Sequence, residues 1–356
     1  MMAKRRIVAA AAAACFFLAT AMWNPGLAAA APTDYQILAG DFVGDSRDEL
    51  FYYAPGTAPD YLTGFSFDGL YYYLDVLGEF TVNGSYKPLV GDFDGDGYDE
   101  ILWYAPGTTT DYMWNFTGNT TVSSVPYTVN GNYARPTVGD YTGDGVDDVL
   151  WYAPGSGPDY LWDYNVGGSY VSVPRTINGV YLPVSGSFGN DATDDIFWYS
   201  PGTAPDYLWD YVPGTTQYTQ QKYAVNGTNY RPVAVDMFGD GPGNEDILWY
   251  APGPTADFTW DFYLGTRTSY PESISGDYLV AAGDFLGDGI EDVVFDTYDR
   301  TILWDHGPGV RTVVTWVWDT TLTASSNETG RAASPDREES GRVATAIEQE
   351  PLAVRR

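Results

Sequence analysis

Apolar residues occur along this chain in short continuous runs, which are separated by polar segments rich in glycine and proline. Examples are residues 101–104, 149–152 and 247–250, each containing tryptophan and tyrosine beside aliphatic residues. Short runs of this composition between turn residues predict β-strands. The runs are continuous rather than alternating, which is typical of strands buried on both faces. Since no stretch shows a sustained apolar period of 3.6 residues, we predict an all-β chain with very little helix.

The runs belong to a repeated unit, in which a loop, a Pro-Gly turn and an Asn-Gly segment follow one another. The loop begins at Asp41, Asp92, Asp140, Ser187, Asp236 and Asp284, so successive copies are 47 to 51 residues apart. A period of this size with four short strands predicts a propeller blade. No polar cap distinguishes either end, which favours a closed ring over a linear stack. We therefore predict a six-bladed β-propeller over residues 31–319; a seventh blade is disfavoured because few residues remain for it.

Both ends of the chain differ in composition from the repeats. Residues 1–30 contain a basic start at Lys4, Arg5 and Arg6, an apolar run over 7–22 and alanines at 28–30, the pattern of a signal peptide. A retained membrane anchor is disfavoured because the run is shorter than the ~20 residues of a spanning helix. We expect a secreted protein with no membrane span in the mature chain. Residues 320–356 are rich in Ser, Thr, Glu, Arg and Ala, and predict a disordered polar tail.

Charge and cysteine content exclude several classes of function. The formal net charge is −31, and loss of the three positive charges in residues 1–30 would make it −34. Nucleic-acid binding depends on Lys and Arg that neutralise phosphates, so we expect no nucleic-acid partner. The one cysteine, Cys15, lies within residues 1–30. The mature chain therefore has no disulfide, thiolate metal site or cysteine nucleophile.

The second loop, residues 92–100, has the pattern of a calcium site. Carboxylates occupy its first, third and fifth positions (Asp92, Asp94 and Asp96), and its ninth position is Glu100. Calcium takes about six to eight oxygen ligands, and the odd positions of a tight loop converge on one point. The carbonyl of Tyr98 would supply the oxygen of the seventh position. An EF-hand is excluded because a strand-like run follows the loop and no glutamate stands at the twelfth position.

The other loops carry incomplete versions of this pattern. The candidate ligands are Asp140, Thr142, Asp144, the carbonyl of Val146 and Asp148 in the third loop; Asp41, Asp45, the carbonyl of Arg47 and Glu49 in the first; Asp284, Asp288, the carbonyl of Ile290 and Asp292 in the sixth; and Asp236, Asp240 and Asp246 in the fifth. Ligand count ranks the second loop first, the third next and the fourth last. The alternative is that these loops are turns in which Asp caps backbone N–H groups. We expect Ca²⁺ to bind as a structural ion.

The unit resembles a known family of repeats. Residues 91–102, which read GDFDGDGYDEIL, are similar to the FG-GAP repeats of integrin α-subunit propellers and to the related VCBS-type repeats of secreted bacterial proteins. The resemblance extends over residues 34–319 and implies a β-propeller with calcium in the loop between the first and second strands of a blade. It does not imply one activity, because members include adhesion modules, sugar-binding lectins and accessory domains of secreted enzymes.

Catalytic chemistry is not predicted from these residues. The one histidine, His306, has no nucleophile elbow beside it, so neither a Ser-His-Asp triad nor an organic cofactor is expected. The acids recur in every repeat, whereas an active site normally breaks a repeat's symmetry. Recurrent tryptophans are interpreted as packing between blades, with sugar stacking as the alternative.

These observations lead to one prediction of function and one alternative. We predict a monomeric, secreted, calcium-stabilised module that binds an extracellular glycan or protein without catalysis. The alternative is a secreted carbohydrate-active enzyme that uses a pair of carboxylates.

Overall fold

The fold is an all-β ring of six antiparallel sheets. A computed structural model describes residues 35–67, 72–118, 121–241, 243–297, 300–307, 310–318 and 342–351. These residues form 25 strands and no helix. The described part of the chain therefore contains no helix that could span a membrane. Five of the sheets contain four consecutive strands and the sixth contains five, which confirms the predicted six-bladed propeller. The predicted signal peptide, residues 1–30, lies outside the described residues.

Each blade runs from an inner first strand to an outer fourth strand. The strands are β1 (Gln36–Gly40), β2 (Glu49–Tyr53), β3 (Asp60–Phe67) and β4 (Tyr72–Phe80) in blade 1; β5 (Lys87–Gly91), β6 (Glu100–Tyr104), β7 (Asp111–Phe116) and β8 (Val122–Tyr127) in blade 2; β9 (Thr137–Gly139), β10 (Asp148–Trp151), β11 (Asp159–Asn165) and β12 (Ser169–Arg175) in blade 3; β13 (Leu182–Gly186), β14 (Asp195–Tyr199), β15 (Asp206–Tyr211) and β16 (Tyr218–Tyr223) in blade 4; β17 (Arg231–Val235), β18 (Asp246–Tyr250), β19 (Asp257–Tyr263) and β20 (Thr266–Glu272) in blade 5; and β21 (Leu279–Gly283), β22 (Asp292–Thr297), β23 (Arg300–Gly307) and β24 (Val310–Trp318) in blade 6.

The first strands surround the axis of the ring. Each contacts the first strand of the next blade, and β21 of blade 6 contacts β1 of blade 1, so the ring is closed. The candidate metal loops join the first and second strands and lie on the same face as the hairpins between the third and fourth strands. The Pro-Gly turns and Asn-Gly segments meet on the opposite face, where Gly56 bridges Gly84.

The hydrophobic core consists of six clusters, each formed between two adjacent blades. The second strands supply the largest buried side chains. Trp103 packs against Tyr53 of blade 1 with ring centroids 4.9 Å apart, and Trp151 packs against Tyr104 of blade 2 at 5.0 Å. Burying one such side chain contributes about 1.5–3 kcal/mol. These contacts support the interpretation of the second-strand tryptophans as packing residues.

Recurrent Asp and Tyr residues hold the turns opposite the metal loops. The Asp111 carboxylate accepts hydrogen bonds from the N–H groups of Ala105 (2.8 Å) and Val129 (2.7 Å). The Tyr104 hydroxyl donates to the carbonyl of Gly131 at 3.2 Å. Equivalent pairs of carboxylate bonds are formed by Asp60, Asp159, Asp206 and Asp257. These acids are therefore committed to the fold, because each satisfies two buried N–H groups.

A ring of six carboxylates links every blade to the preceding one. Oδ2 of Asp99 accepts the N–H of Asp41 at 2.8 Å, and the N–H of Asp99 donates to the carbonyl of Asp41 at 3.0 Å. The link from blade 1 back to blade 6 is the same, with Oδ2 of Asp48 accepting the N–H of Asp284 at 2.8 Å. The fifth loop has two extra residues, and its positions are counted here without them. The six acids are then the eighth residues of the loops, namely Asp48, Asp99, Asp147, Asp194, Glu245 and Glu291.

Burial and mutual repulsion raise the pKa values of these six acids. Desolvation, and then the charge of Asp48, raises the pKa of Asp99 to about 7, while desolvation raises the pKa values of Asp48 and Asp194 to about 6. The hydrogen bonds from the preceding blade oppose this effect by favouring the charged form. Each side chain also keeps some exposed surface, so solvent moderates the repulsion.

Side-chain contacts, rather than a shared strand, join blade 6 to blade 1. Asp296 stands where the other blades have tyrosine, and it is buried. Its carboxylate accepts hydrogen bonds from the hydroxyls of Tyr35 (2.8 Å), Tyr52 (3.2 Å) and Thr301. Divergence of the last repeat thus has a physical cause, because this residue makes the closing contact.

The segment predicted as a disordered tail contains a strand. Residues Arg342–Pro351 form β25, which pairs antiparallel with β24 and gives blade 6 a fifth strand. The outer strands β8, β12 and β20 carry Pro126, Pro174 and Pro271, and proline obstructs further pairing at a sheet edge. The edge strand β24 contains no proline and can accept another strand. Residues 319–341 and 352–356 lie outside the described residues.

Replacing the closing carboxylate should weaken the ring. We expect Asp296→Ala to lower the free energy of unfolding by about 1–3 kcal/mol, because three hydroxyls lose a buried acceptor. Urea denaturation measures this change. The control Glu79→Gln, on the exposed surface of β4, should change stability by less than about 0.5 kcal/mol. Equal effects of the two substitutions would contradict the closing role of Asp296.

The six-carboxylate ring should make stability depend on pH. The pKa values of these acids are higher in the folded than in the unfolded state, so their stabilising effect is complete below about pH 4. For Asp48, Asp99 and Asp194 it is lost as the pH rises through about 6 to 7, and for Glu291 as the pH rises through about 8. In the presence of a chelator, the melting temperature should therefore rise as the pH is lowered from about 8 to about 5. A melting temperature that falls steadily over this interval would show that other groups dominate.

Candidate metal centre

The second loop is closed by its first aspartate. Oδ1 of Asp92 accepts the N–H groups of Gly95 (2.7 Å) and Asp96 (3.1 Å), and Oδ2 accepts that of Gly97 (2.9 Å). Gly95 and Gly97 have φ values of 75° and 86°, a conformation that favours glycine. These bonds are expected both for a metal loop and for a capped turn, so they do not distinguish the two interpretations.

The third and ninth residues make the loop suitable for a cation. One carboxylate oxygen each from Asp92, Asp94 and Glu100 lies within 4.8 Å of the other two. Oδ1 of Asp94 is buried and has no hydrogen-bond partner. Glu100 accepts the N–H of Phe93 (2.9 Å) through Oε2 and the amide of Asn115 (3.3 Å) through Oε1. A buried oxygen without a donor is costly, and a hard divalent cation would satisfy it.

Electrostatics in this loop favour the same interpretation. Burial, and then the charge of Asp94, raises the pKa of Glu100 to about 9. Burial, followed by the charges of Asp96 and Asp92, also raises the pKa of Asp94. Nearby negative charges disfavour each other's ionised form, and a cation reverses that effect. The residues present therefore fit calcium, whose oxygen ligands include carboxylates.

Asp96 and Tyr98, which were predicted to complete this site, have other contacts in the structure. Asp96 is exposed, and its Oδ1 accepts the N–H of Tyr98 at 3.0 Å. The Tyr98 ring lies so close to Gly44 that a Cβ there would be 2.2 Å from it. Tyr98 thus packs the second loop against the first, and its carbonyl as a ligand stays a prediction.

The third loop has similar geometry with threonine in the third position. Asp140 accepts three loop N–H groups as Asp92 does. Oγ1 of Thr142 and Oδ2 of Asp148 are both buried without a hydrogen-bond partner. Asp144 accepts the N–H of Val146 at 3.1 Å, while the Val146 side chain belongs to the core between blades 2 and 3. Burial raises the pKa of Asp148 to about 8. This loop therefore has one acidic oxygen and one hydroxyl that a cation could satisfy.

The fifth and sixth loops keep the capping aspartate. Asp284 accepts three loop N–H groups, and Asp288 accepts the N–H of Ile290 at 3.1 Å. Oδ1 of Asp292 accepts the N–H of His306 at 3.0 Å, whereas its buried Oδ2 has no hydrogen-bond partner. In the fifth loop, Asp236 accepts the N–H of Asp240 (3.0 Å), and Asp246 accepts that of Met237 (3.1 Å). Within the described residues, three acidic side chains converge within 4.8 Å in the second loop alone.

The first loop fits a cation less well than its sequence suggests. Asp45 forms an ion pair with Arg47, with Oδ2 and Nη2 2.5 Å apart. A carboxylate predicted as a ligand is therefore neutralised within the loop itself. Glu49 accepts the N–H groups of Phe42 (3.1 Å) and Val43 (3.2 Å), and Asp41 caps the turn.

The histidine and the third-strand tryptophans have structural contacts. His306 is buried, its Nδ1 lies 3.1 Å from the carbonyl of Glu291, and burial lowers its pKa to about 3. Tyr170 stacks on Trp162 with centroids 4.1 Å apart, and Tyr218 stacks on Trp209 at 3.9 Å. One face of each indole is thus covered by the outer strand.

Sequence reasoning missed the acidic eighth residue of the loops. Its signal was present, since this position is Asp or Glu in all six copies although the metal pattern does not require it. The structure gives the reason, because this side chain reaches the preceding blade rather than its own loop.

Comparisons with known proteins agree with this architecture. Residues 81–151 match the FG-GAP-like repeat family. The structure of an Agrocybe aegerita lectin, described as recognising non-reducing terminal N-acetylglucosamine, has a TM-score of 0.50 and 13% identity, and the likeness covers 77% of each chain. The Photorhabdus luminescens Tc holotoxin pore has a TM-score of 0.48 and 13% identity over 80% of this chain and 15% of that one. No curated protein matches the chain.

At 13% identity the likeness to the lectin shows the fold alone, because one fold supports many functions. The repeat match and the ring of six antiparallel sheets agree on one architecture. The chain is a six-bladed β-propeller, and its residues 81–151 match an FG-GAP-like repeat.

Proposed function

We propose that this protein is a secreted, calcium-stabilised propeller that binds an extracellular glycan or protein without catalysis. The observation that carries this proposal is that the recurrent acids and aromatics maintain the fold. Asp111 satisfies turn N–H groups, Asp99 joins two blades, and Trp103 fills the core between them. A rigid ring of this kind supports binding residues on its loops. The similar fold of a lectin that recognises N-acetylglucosamine makes a glycan the first ligand to test.

Calcium would act by ordering the second loop and the contacts that this loop makes. Asp92, Asp94 and Glu100 would hold the ion, which supplies positive charge among carboxylates that otherwise repel each other. The carbonyl of Asp94 accepts the N–H of Gly167 from blade 3 at 2.7 Å. An ordered second loop therefore also holds the neighbouring hairpin.

Calcium should raise the thermal stability of the protein. At a free calcium concentration of about 100 times Kd, one bound ion stabilises the folded state by about 2.7 kcal/mol. This corresponds to a rise in melting temperature of roughly 5 °C. Differential scanning calorimetry in chelator and after calcium addition measures the shift. Asp94→Asn should reduce the shift, whereas Glu79→Gln should keep it. Equal melting curves with and without calcium in the original protein would refute the structural role of calcium.

Glycan binding should occur without turnover. On a glycan array that includes N-acetylglucosamine-terminated chains, the calcium-loaded protein should bind a subset of the immobilised glycans. Prolonged incubation of the protein with these glycans should release no reducing sugar. Chelator-treated protein is the control that shows whether glycan binding depends on the calcium-stabilised ring. Released reducing sugar would instead support the carbohydrate-active enzyme, which needs two carboxyl groups about 5–10 Å apart. Retention of protein partners with no glycan bound would direct the proposal to a protein ligand.

A further inference from the structure

The ninth residue of each loop is matched to one residue on the third strand of the same blade. This third-strand residue follows the tryptophan position and is Gly64 in blade 1 and Asn115 in blade 2, where the ninth residue is glutamate. In the other four blades the ninth residue is aspartate, and the third-strand residue is Asp163, Asp210, Asp261 or Asp305. Aspartate is one methylene shorter than glutamate, so its carboxylate extends less far toward the centre of the loop. An acid on the adjacent strand can place a second carboxylate there.

In blades 2 and 4 this third-strand side chain meets the loop. In blade 2 the Asn115 amide donates to Oε1 of Glu100 at 3.3 Å. In blade 4 a Cβ on Gly189, the third residue of the loop, would lie 3.0 Å from Oδ1 of Asp210 and 2.9 Å from Oδ2 of Asp195. In blade 4 the third-strand acid and the ninth residue therefore both lie beside the third loop position.

Blade 3 adds independent evidence that a ligand belongs at this point. Asp148 is fully buried, and its Oδ2 has no hydrogen-bond partner. Oγ1 of Thr142 is also buried without one. The other oxygen of Asp148 accepts the N–H of Tyr164 at 2.8 Å, which places Asp148 beside the strand that carries Asp163. Burial and the neighbouring Asp144 raise the pKa of Asp163, and Arg175 opposes this rise.

We propose that Asp163 is a calcium ligand and replaces the third-position carboxylate that Thr142 lacks. The site would comprise Asp140, Asp144, Asp148 and Asp163, with Oγ1 of Thr142 as a neutral ligand. No three of these carboxylates lie within 4.8 Å of one another in the structure, so the ion would draw them together. This set has four carboxylates, the same number as Asp92, Asp94, Asp96 and Glu100 supply in the second loop. Equal charge explains how the third loop can bind calcium although its loop pattern is incomplete, since affinity follows the number of charged ligands. The inference rests on the proposed binding of calcium by this propeller.

Calcium stoichiometry tests the assignment directly. Isothermal titration with calcium chloride should show that Asp163→Asn loses one bound ion, or weakens one site at least about tenfold, relative to the original protein. Asp94→Asn should lose a different ion, and the double variant should lose both. The control Glu79→Gln removes a charge far from the loops in sequence and should keep the original stoichiometry.

A rescue variant separates ligation from a general loss of folding. Adding Thr142→Asp to Asp163→Asn rebuilds the third-position carboxylate of the second loop and should restore the lost ion. Unchanged stoichiometry and affinity in Asp163→Asn would overturn the role of Asp163, as would failure of the rescue in a folded double variant. If Asp94→Asn loses an ion and Asp163→Asn does not, only this inference fails. If the original protein binds no calcium, the proposed calcium role fails as well.

Discussion

Every blade of this protein has two apolar faces, and each face must be covered by a neighbour. The second strands β6, β14 and β18 are buried along their whole length, which a single sheet in water cannot achieve. The hydrophobic core is consequently divided into six clusters that each belong to two blades. Closing the ring lets blade 1 cover blade 6, so no terminal face is left exposed. The tryptophans and tyrosines of the repeat serve this requirement before any other.

Polar chemistry follows from the same arrangement. Strands that converge on an axis bring their loops together on one face, and each loop carries several carboxylates. The protein separates these acids into different tasks. First-position aspartates cap their own loops, eighth-position acids accept N–H groups from the preceding blade, and turn aspartates such as Asp111 satisfy the opposite face. Acidic oxygens without a donor, such as Oδ1 of Asp94 and Oδ2 of Asp148, remain at the loop positions where a cation would bind.

Much of the architecture could be predicted from the sequence because each repeat is marked by residues that are close together along the chain. Short apolar runs, Pro-Gly turns and a 47–51-residue spacing indicate blades without knowledge of any contact. The candidate metal loop around Asp92 was found in the same way, since its ligands lie within nine residues. Composition misled the prediction at residues 342–351, because few aromatic residues suggested disorder while the open edge of β24 accepts a strand. Asp45 was ranked as a ligand, but its pairing with Arg47 depends on side-chain direction that spacing does not reveal.

By itself, then, the sequence determined the strand-rich blades, their number and the loops that carry the acids, because these depend on neighbours along the chain. Tertiary structure alone decided which groups surround each acid. Asp99 accepts the N–H of Asp41, Asp296 accepts the hydroxyl of Tyr35, and Asp210 and Asp195 both lie beside Gly189, although 58, 261 and 15 residues separate the members of these pairs. Such pairs form only when the sheets twist, stack and close into a ring. Hydrogen bonding and burial in the folded protein therefore give different roles to residues of the same type.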